Sequence, residues 1–133
     1  MIKKAGTILI NKRKIGLVYR SNHDDYSFPK GHQEEGETSL ECAIRETNEE
    51  TKREVTLLME EPLYVEYYTD SKNNFCNCVY YLVRDNGESD NDSEETHDLL
   101  WVDFDKVEDL LTYDSLKKMW RIIKEVIKDY IED

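Results

Sequence analysis

Residues 31–53 read GHQEEGETSLECAIRETNEETKR, and this stretch decides the fold. Thr38 followed by Glu41 forms a capping box, in which each side chain accepts a hydrogen bond from the other residue's backbone N–H at a helix start. Leu40, Ala43, Ile44 and Thr47 then recur at i, i+3, i+4 and i+7, which predicts a helix with one face turned to a core. Glu46, Glu49 and Glu50 stand at i, i+3 and i+4, neighbouring positions on another side of that helix. Like charges at this spacing repel by about 0.2–0.5 kcal/mol per pair. Many acidic runs are only solvated surface, but a hard divalent cation would turn this conflict into a site. Mg²⁺ or Mn²⁺ takes oxygen ligands, keeps several waters and bridges to substrate phosphates.

The lead-in Tyr26-Ser27-Phe28-Pro29-Lys30-Gly31-His32 reads as an aromatic strand end followed by a proline-fixed turn. Gly31 is read there as the residue that permits a backbone conformation closed to others and so aims a carbonyl at the metal. The spacing of Gly31, Glu37, Arg45, Glu46, Glu49 and Glu50 resembles the Nudix box, G-x5-E-x7-R-E-U-x-E-E-x-G-U with U apolar. The F-P-K-G-H lead-in is similar to that of a subset of the same family. Thr47 and Arg53 depart from the pattern where it has apolar residues, and Lys52 stands where the family has a glycine that ends the helix. With Lys52 there, either the helix runs about a turn further or it ends in a strained left-handed cap.

The resemblance implies an α/β fold, the Nudix α/β/α sandwich around a mixed β-sheet, as a single domain over residues 1–133 with the box at 31–53. The rest of the chain agrees with that order. Strand-like runs fall at residues 6–10, 15–20, 54–58, 63–69, 75–83 and 99–102, the fifth with the composition of a central strand. Residues 85–98 hold no apolar side chain and read as a surface loop. A short helix is expected at 105–111. A terminal helix is expected at 113–131, with Leu116, Met119, Trp120, Ile123, Val126, Ile127 and Tyr130 inward.

At 133 residues the chain can bury one core, and its net charge of −12 excludes partners that need a broad basic surface, such as duplex nucleic acid or anionic membrane. A phosphate substrate stays compatible, because bound cations would be the largest local charges. Cys42, Cys76 and Cys78 show neither a disulfide framework nor zinc-knuckle spacing, so all three are expected reduced in a cytoplasmic protein, monomer or homodimer. Neither a signal peptide nor a transmembrane run is visible.

Membership in this family would imply Mg²⁺- or Mn²⁺-assisted attack of water on a pyrophosphate linkage of a nucleoside diphosphate attached to another group. The metal ligands implied are the Gly31 carbonyl, Glu46, Glu49 and Glu50. Arg45 would orient the glutamates, and the general base would be a box glutamate or one from the loop before the last strand, Glu94 or Glu95. His97 beside them could touch phosphate or be merely solvated. The lead-in, the tyrosines of 64–68 and the 93–97 segment look similar to asymmetrical diadenosine tetraphosphate hydrolases, which implies cleavage of Ap4A to ATP and AMP. In that reading Tyr67 or Tyr68 stacks on adenine, Lys30 and His32 lie near the phosphate chain, and Lys72 closes over it. Alternatives are a MutT-like nucleoside triphosphate pyrophosphohydrolase, a capped-RNA pyrophosphohydrolase, disfavoured by the lack of a basic track, and a non-catalytic nucleotide-binding Nudix module.

Overall fold

The computed structural model describes residues 1–132. Its centre is a parallel pair, β1 (Ile2–Asn11) beside β7 (Phe75–Glu88), in register from Ile2 opposite Cys76 to Ile10 opposite Arg84. The apolar, β-branched stretch of β1 is buried from Ala5 to Ile10, the mark of a strand covered on both faces. The other edge of β7 is shared antiparallel by β6 (Tyr64–Thr69) and β5 (Arg53–Leu57). On the far side β2 (Lys14–Arg20) pairs with β1 only around Leu9–Asn11, and along its other edge with β8 (Asp98–Asp103). Toward the start of β1 the two strands part. Into this fork fit β3 (Asp25–Ser27), paired to β2, and β4 (Lys30–His32), paired to β1. The eight strands form one mixed sheet, and the fork brings Lys4, Arg20 and Lys30 to a single opening.

Helix α1 (Ser39–Thr51) covers one face of the sheet, burying Cys42 and Ala43 against Ala5 and Tyr81. The larger core lies on the other face, under α2 (Val107–Leu110) and α3 (Asp114–Ile127). There Trp120 meets Phe104 at 5.4 Å and Phe28 at 6.3 Å between ring centroids. Phe28 thus anchors the turn into β4, and the Pro29 carbonyl accepts the Thr7 N–H at 3.1 Å. The fold is the single-domain α/β sandwich expected, with four local differences.

Residues 85–88 continue β7 instead of starting the loop, because Asp85 pairs with Arg53 of β5 at 2.7 Å; a ladder closed by an ion pair needs no apolar residue. The strands β3 and β4 are three residues each, too short for any periodicity to show. On α3 Val126 points outward, 41% exposed. On α1 the buried face is Cys42, Ala43, Glu46, Thr47, Glu50 and Thr51, whereas Ile44 is exposed and Leu40 half-buried. The helix is turned because Thr47 bonds Thr7 of β1 at 2.6 Å and passes its charge-bearing side to the sheet.

Candidate active site

The box helix starts as its sequence dictates. The Thr38 hydroxyl accepts the Glu41 N–H at 3.1 Å and the Glu41 carboxylate accepts the Thr38 N–H at 3.0 Å, a reciprocal cap. It ends at Lys52 in the left-handed region, φ 57° and ψ 36°, so of the two outcomes the strained cap is realised. The last carbonyls of α1 are satisfied from far away in the chain. Ser89 N–H donates to Lys52 O at 2.8 Å, Asn91 Nδ2 to Asn48 O at 2.9 Å, Thr96 Oγ1 to Glu49 O at 3.3 Å and His97 N–H to Glu50 O at 2.8 Å. The loop before β8 is therefore stitched to the helix, and it carries Glu95 to the carboxylates.

Carboxylate oxygens of Glu46, Glu49 and Glu95 all lie within 4.8 Å of one another. Arg45 holds the group together. Its Nε and Nη2 donate to both oxygens of Glu37 at 2.6 and 3.0 Å, and its Nη1 to Glu46 at 2.9 Å and Glu49 at 3.1 Å. A fifth contact, Nη2 to the His32 carbonyl at 3.0 Å, ties the helix to β4. Glu37, facing this guanidinium, is drawn down to about 2.

Glu50 is buried like Glu46, 8% exposed, with one carboxylate oxygen accepting the Lys30 N–H at 3.2 Å. Burial, then the charge of Glu46, pushes it up to about 8. Glu46 is raised chiefly by its own burial; for Glu49 burial acts first and the adjacent Glu95 adds to it. Crowded, partly desolvated carboxylates that resist ionisation together are a donor set suited to a hard divalent cation. Gly31 belongs here for a different reason from the one its sequence suggested. Its φ is not positive, whereas those of Gly36 and Gly87 are. A Cβ on Gly31 would collide with the Glu46 carboxylate, so the glycine makes room rather than an unusual backbone. Its carbonyl receives only a weak contact from the Cys42 thiol at 3.6 Å.

These carboxylates form one wall of a cleft of about 520 Å³. The same cleft is lined by the cations Lys4, Arg20 and Lys30, with the imidazoles of His32 and His97. Lys4 and Arg20 are not expected there from sequence, since both stand at the margin of an apolar strand with no motif around them. Arg20 is gripped by Asp25 through two hydrogen bonds, 2.8 and 2.5 Å, and Asp25 also accepts the Tyr113 hydroxyl at 2.6 Å. Burial lowers both His32 and His97, helped at His32 by Lys4 and at His97 by Arg20.

Other expected site residues lie elsewhere. Tyr67 is 61% exposed on the opposite face of β6 from Tyr68, stacked on Phe75 at 6.1 Å. Tyr68 is half-buried, with Lys4 Nζ and Lys30 Nζ over its ring at 5.4 and 4.9 Å from the centroid. Lys72 sits in the β6–β7 turn, its N–H on Asp70 at 2.9 Å, and does not line the cleft; nor does Glu94. The three cysteines are free thiols, and burial lifts Cys42 and Cys78 to about 12. Among the described residues no helix is long and apolar enough to cross a membrane.

Comparison with known proteins agrees with this architecture. The sequence profile of the NUDIX domain matches residues 2–130. An 8-oxo-(d)GTP phosphatase of Mycolicibacterium smegmatis is 28% identical over 115 residues, 86% of this chain. The chain spans only about a third, 35%, of that relative's length. The fold is similar to a C. elegans Ap4A hydrolase in binary complex, with TM-score 0.81, 22% identity, and 97% and 99% of the two chains covered. It is similar also to a NUDIX family hydrolase from Clostridium perfringens, with TM-score 0.77, 16% identity and 96% and 97% covered.

Proposed function

Since this chain belongs to the Nudix family, we propose that its residues 1–133 form a Mg²⁺- or Mn²⁺-dependent pyrophosphohydrolase of nucleotides, acting in the cytoplasm. The observation that carries the proposal is the lining: four crowded carboxylates and the cations Lys4, Arg20 and Lys30 share one cleft of nucleotide size. Glu46, Glu49 and Glu50, with the Gly31 carbonyl, would hold the metal, which supplies Lewis-acid polarisation of a phosphoryl oxygen when bound. Arg45 keeps the carboxylates aimed. Glu95, whose carboxylate lies within 4.8 Å of those of Glu46 and Glu49, would take a proton from the attacking water. Lys30 and His32 hold the phosphate chain and fix which phosphorus faces that water.

The finer reading is a bis(5′-nucleosyl) tetraphosphate, with Ap4A cleaved asymmetrically to ATP and AMP. One observation favours a second reading. The Tyr68 ring is already occupied by two ammonium groups, which leaves it poorly suited as a base platform and favours a MutT-like nucleoside triphosphate substrate. The experiment is a Mg²⁺-dependent assay over dinucleoside polyphosphates, nucleoside triphosphates and nucleotide sugars, with products resolved by chromatography. ATP plus AMP from Ap4A with the highest kcat/KM supports the tetraphosphate reading. Two ADP, or a higher kcat/KM for 8-oxo-dGTP, rejects it. No turnover of any of them, with Mg²⁺ or with Mn²⁺, rejects the enzyme.

A further inference from the structure

The cations of the cleft are not equivalent. Arg20 is answered by the buried Asp25 carboxylate and takes part in a closed network with Tyr113. Lys4 and Lys30 have no such answer. Among the described residues neither makes an ion pair, although Glu66 lies buried on the same face of β6 as Tyr68. Both instead place their ammonium groups over the single ring of Tyr68. That ring is fixed: its hydroxyl is buried without a hydrogen-bond partner, and its edge packs on the main core. One aromatic face attracts a cation modestly, yet two half-buried ammonium groups repel each other across it. Burial first, and Lys30 second, lowers Lys4 accordingly. An arrangement that is costly when empty is relieved by an anion that bridges the two groups.

The anion must also fit what surrounds it. Lys4 stands opposite His32 in the β1–β4 register, and Lys30 is joined through its backbone N–H to Glu50 of the carboxylate wall. Lys4 and Lys30 line the same cleft as the carboxylate cluster, so one chain of phosphates would meet both. We propose that Lys4, with Lys30 over the Tyr68 ring, is a subsite for phosphate groups beyond the pyrophosphate linkage under attack, so that the cleft selects substrates by the length of their phosphate chain. The proposal rests on the nucleotide-pyrophosphatase reading and adds the determinant of chain length. Lys4 comes from the first strand, far in sequence from the box, so it can vary without disturbing the carboxylates.

The test uses Lys4→Met, which removes the charge and keeps the stem, and Lys4→Arg, which restores a cation. Inorganic tripolyphosphate and pyrophosphate are titrated calorimetrically into parent and variants in EDTA, and melting temperatures verify the fold. Lys4→Met should weaken tripolyphosphate about tenfold, the loss of one charge-assisted contact, and pyrophosphate at most about threefold; Lys4→Arg should recover most of the difference. In turnover, the preference for a tetraphosphate-bridged dinucleotide over a nucleoside diphosphate sugar should fall by a similar factor, through KM. Equal weakening of both probes, no weakening, or no tripolyphosphate binding by the parent overturns the subsite. If the parent hydrolyses no nucleotide but tripolyphosphate binding still depends on Lys4, the enzymatic reading fails while the subsite stands. The reverse pattern sinks the subsite alone.

Discussion

The two walls of the cleft are built in opposite ways. The acidic wall takes Glu46, Glu49 and Glu50 from one helix, with Arg45 of the same helix as the shared partner of Glu46 and Glu49. The cationic wall takes Lys4 from β1, Arg20 from β2 and Lys30 from β4, and no two of these strands are joined by a single periodic pattern. One wall is a local object whose geometry follows from 3.6 residues per turn. The other exists only because β1 and β2 diverge and admit two short strands between them. The helix itself repeats the contrast: its N-terminus is capped by residues three apart, its C-terminus by a loop some forty residues on.

The largest effect is expected where the local wall is broken. Glu50→Gln keeps the shape and removes a carboxylate that a bound cation would ionise, and kcat at saturating Mg²⁺ should fall roughly a thousandfold or more with the melting temperature preserved. Turnover equal to the parent's would move the chemistry off this face. Next comes the non-local wall. Asp25→Ala leaves the Arg20 guanidinium without its buried partner and should cost about 3 kcal/mol in urea unfolding at pH 7. Burial raises Asp25, but the hydrogen bonds from Arg20 and Tyr113 outweigh it and leave it lowered. A lowered carboxylate stabilises above its unfolded value of 3.8, so the deficit of Asp25→Ala should be full above that pH and shrink as pH falls below it. A deficit independent of pH would mean lost packing instead.

Asn91→Ala detaches the loop from the Asn48 carbonyl and side chain and should cost about 1 kcal/mol, read by the same unfolding curve. The effect on kcat should exceed the effect on KM, since the loop carries Glu95; a pure KM change would disconnect the loop from catalysis. The smallest effect has the opposite sign. Lys52→Gly relieves the left-handed strain, partly offset by a freer unfolded chain, and should stabilise by about 0.5–1 kcal/mol. No gain would show that the stitched loop, rather than the cap residue, sets the helix end.

The sequence by itself determined the box helix from Thr38 onward, the identity of its carboxylates, the orienting role open to Arg45 and the family. Each of these depends on spacing within a few turns, where local backbone geometry leaves little choice. The order of the longer strands was legible for the same reason, since an apolar run of five or more residues carries its own signal. Tertiary structure alone decided which side of α1 is buried, because that depends on Thr7 of a distant strand meeting Thr47. It decided that Gly31 serves by leaving room for Glu46, that residues 85–88 remain strand without an apolar side chain, and that Lys4 rather than Lys72 reaches the cleft. Strand register and the partners of unpaired carbonyls join residues tens of positions apart. The free energy that selects them comes from packing and pairing across the whole sheet, which no window of sequence contains.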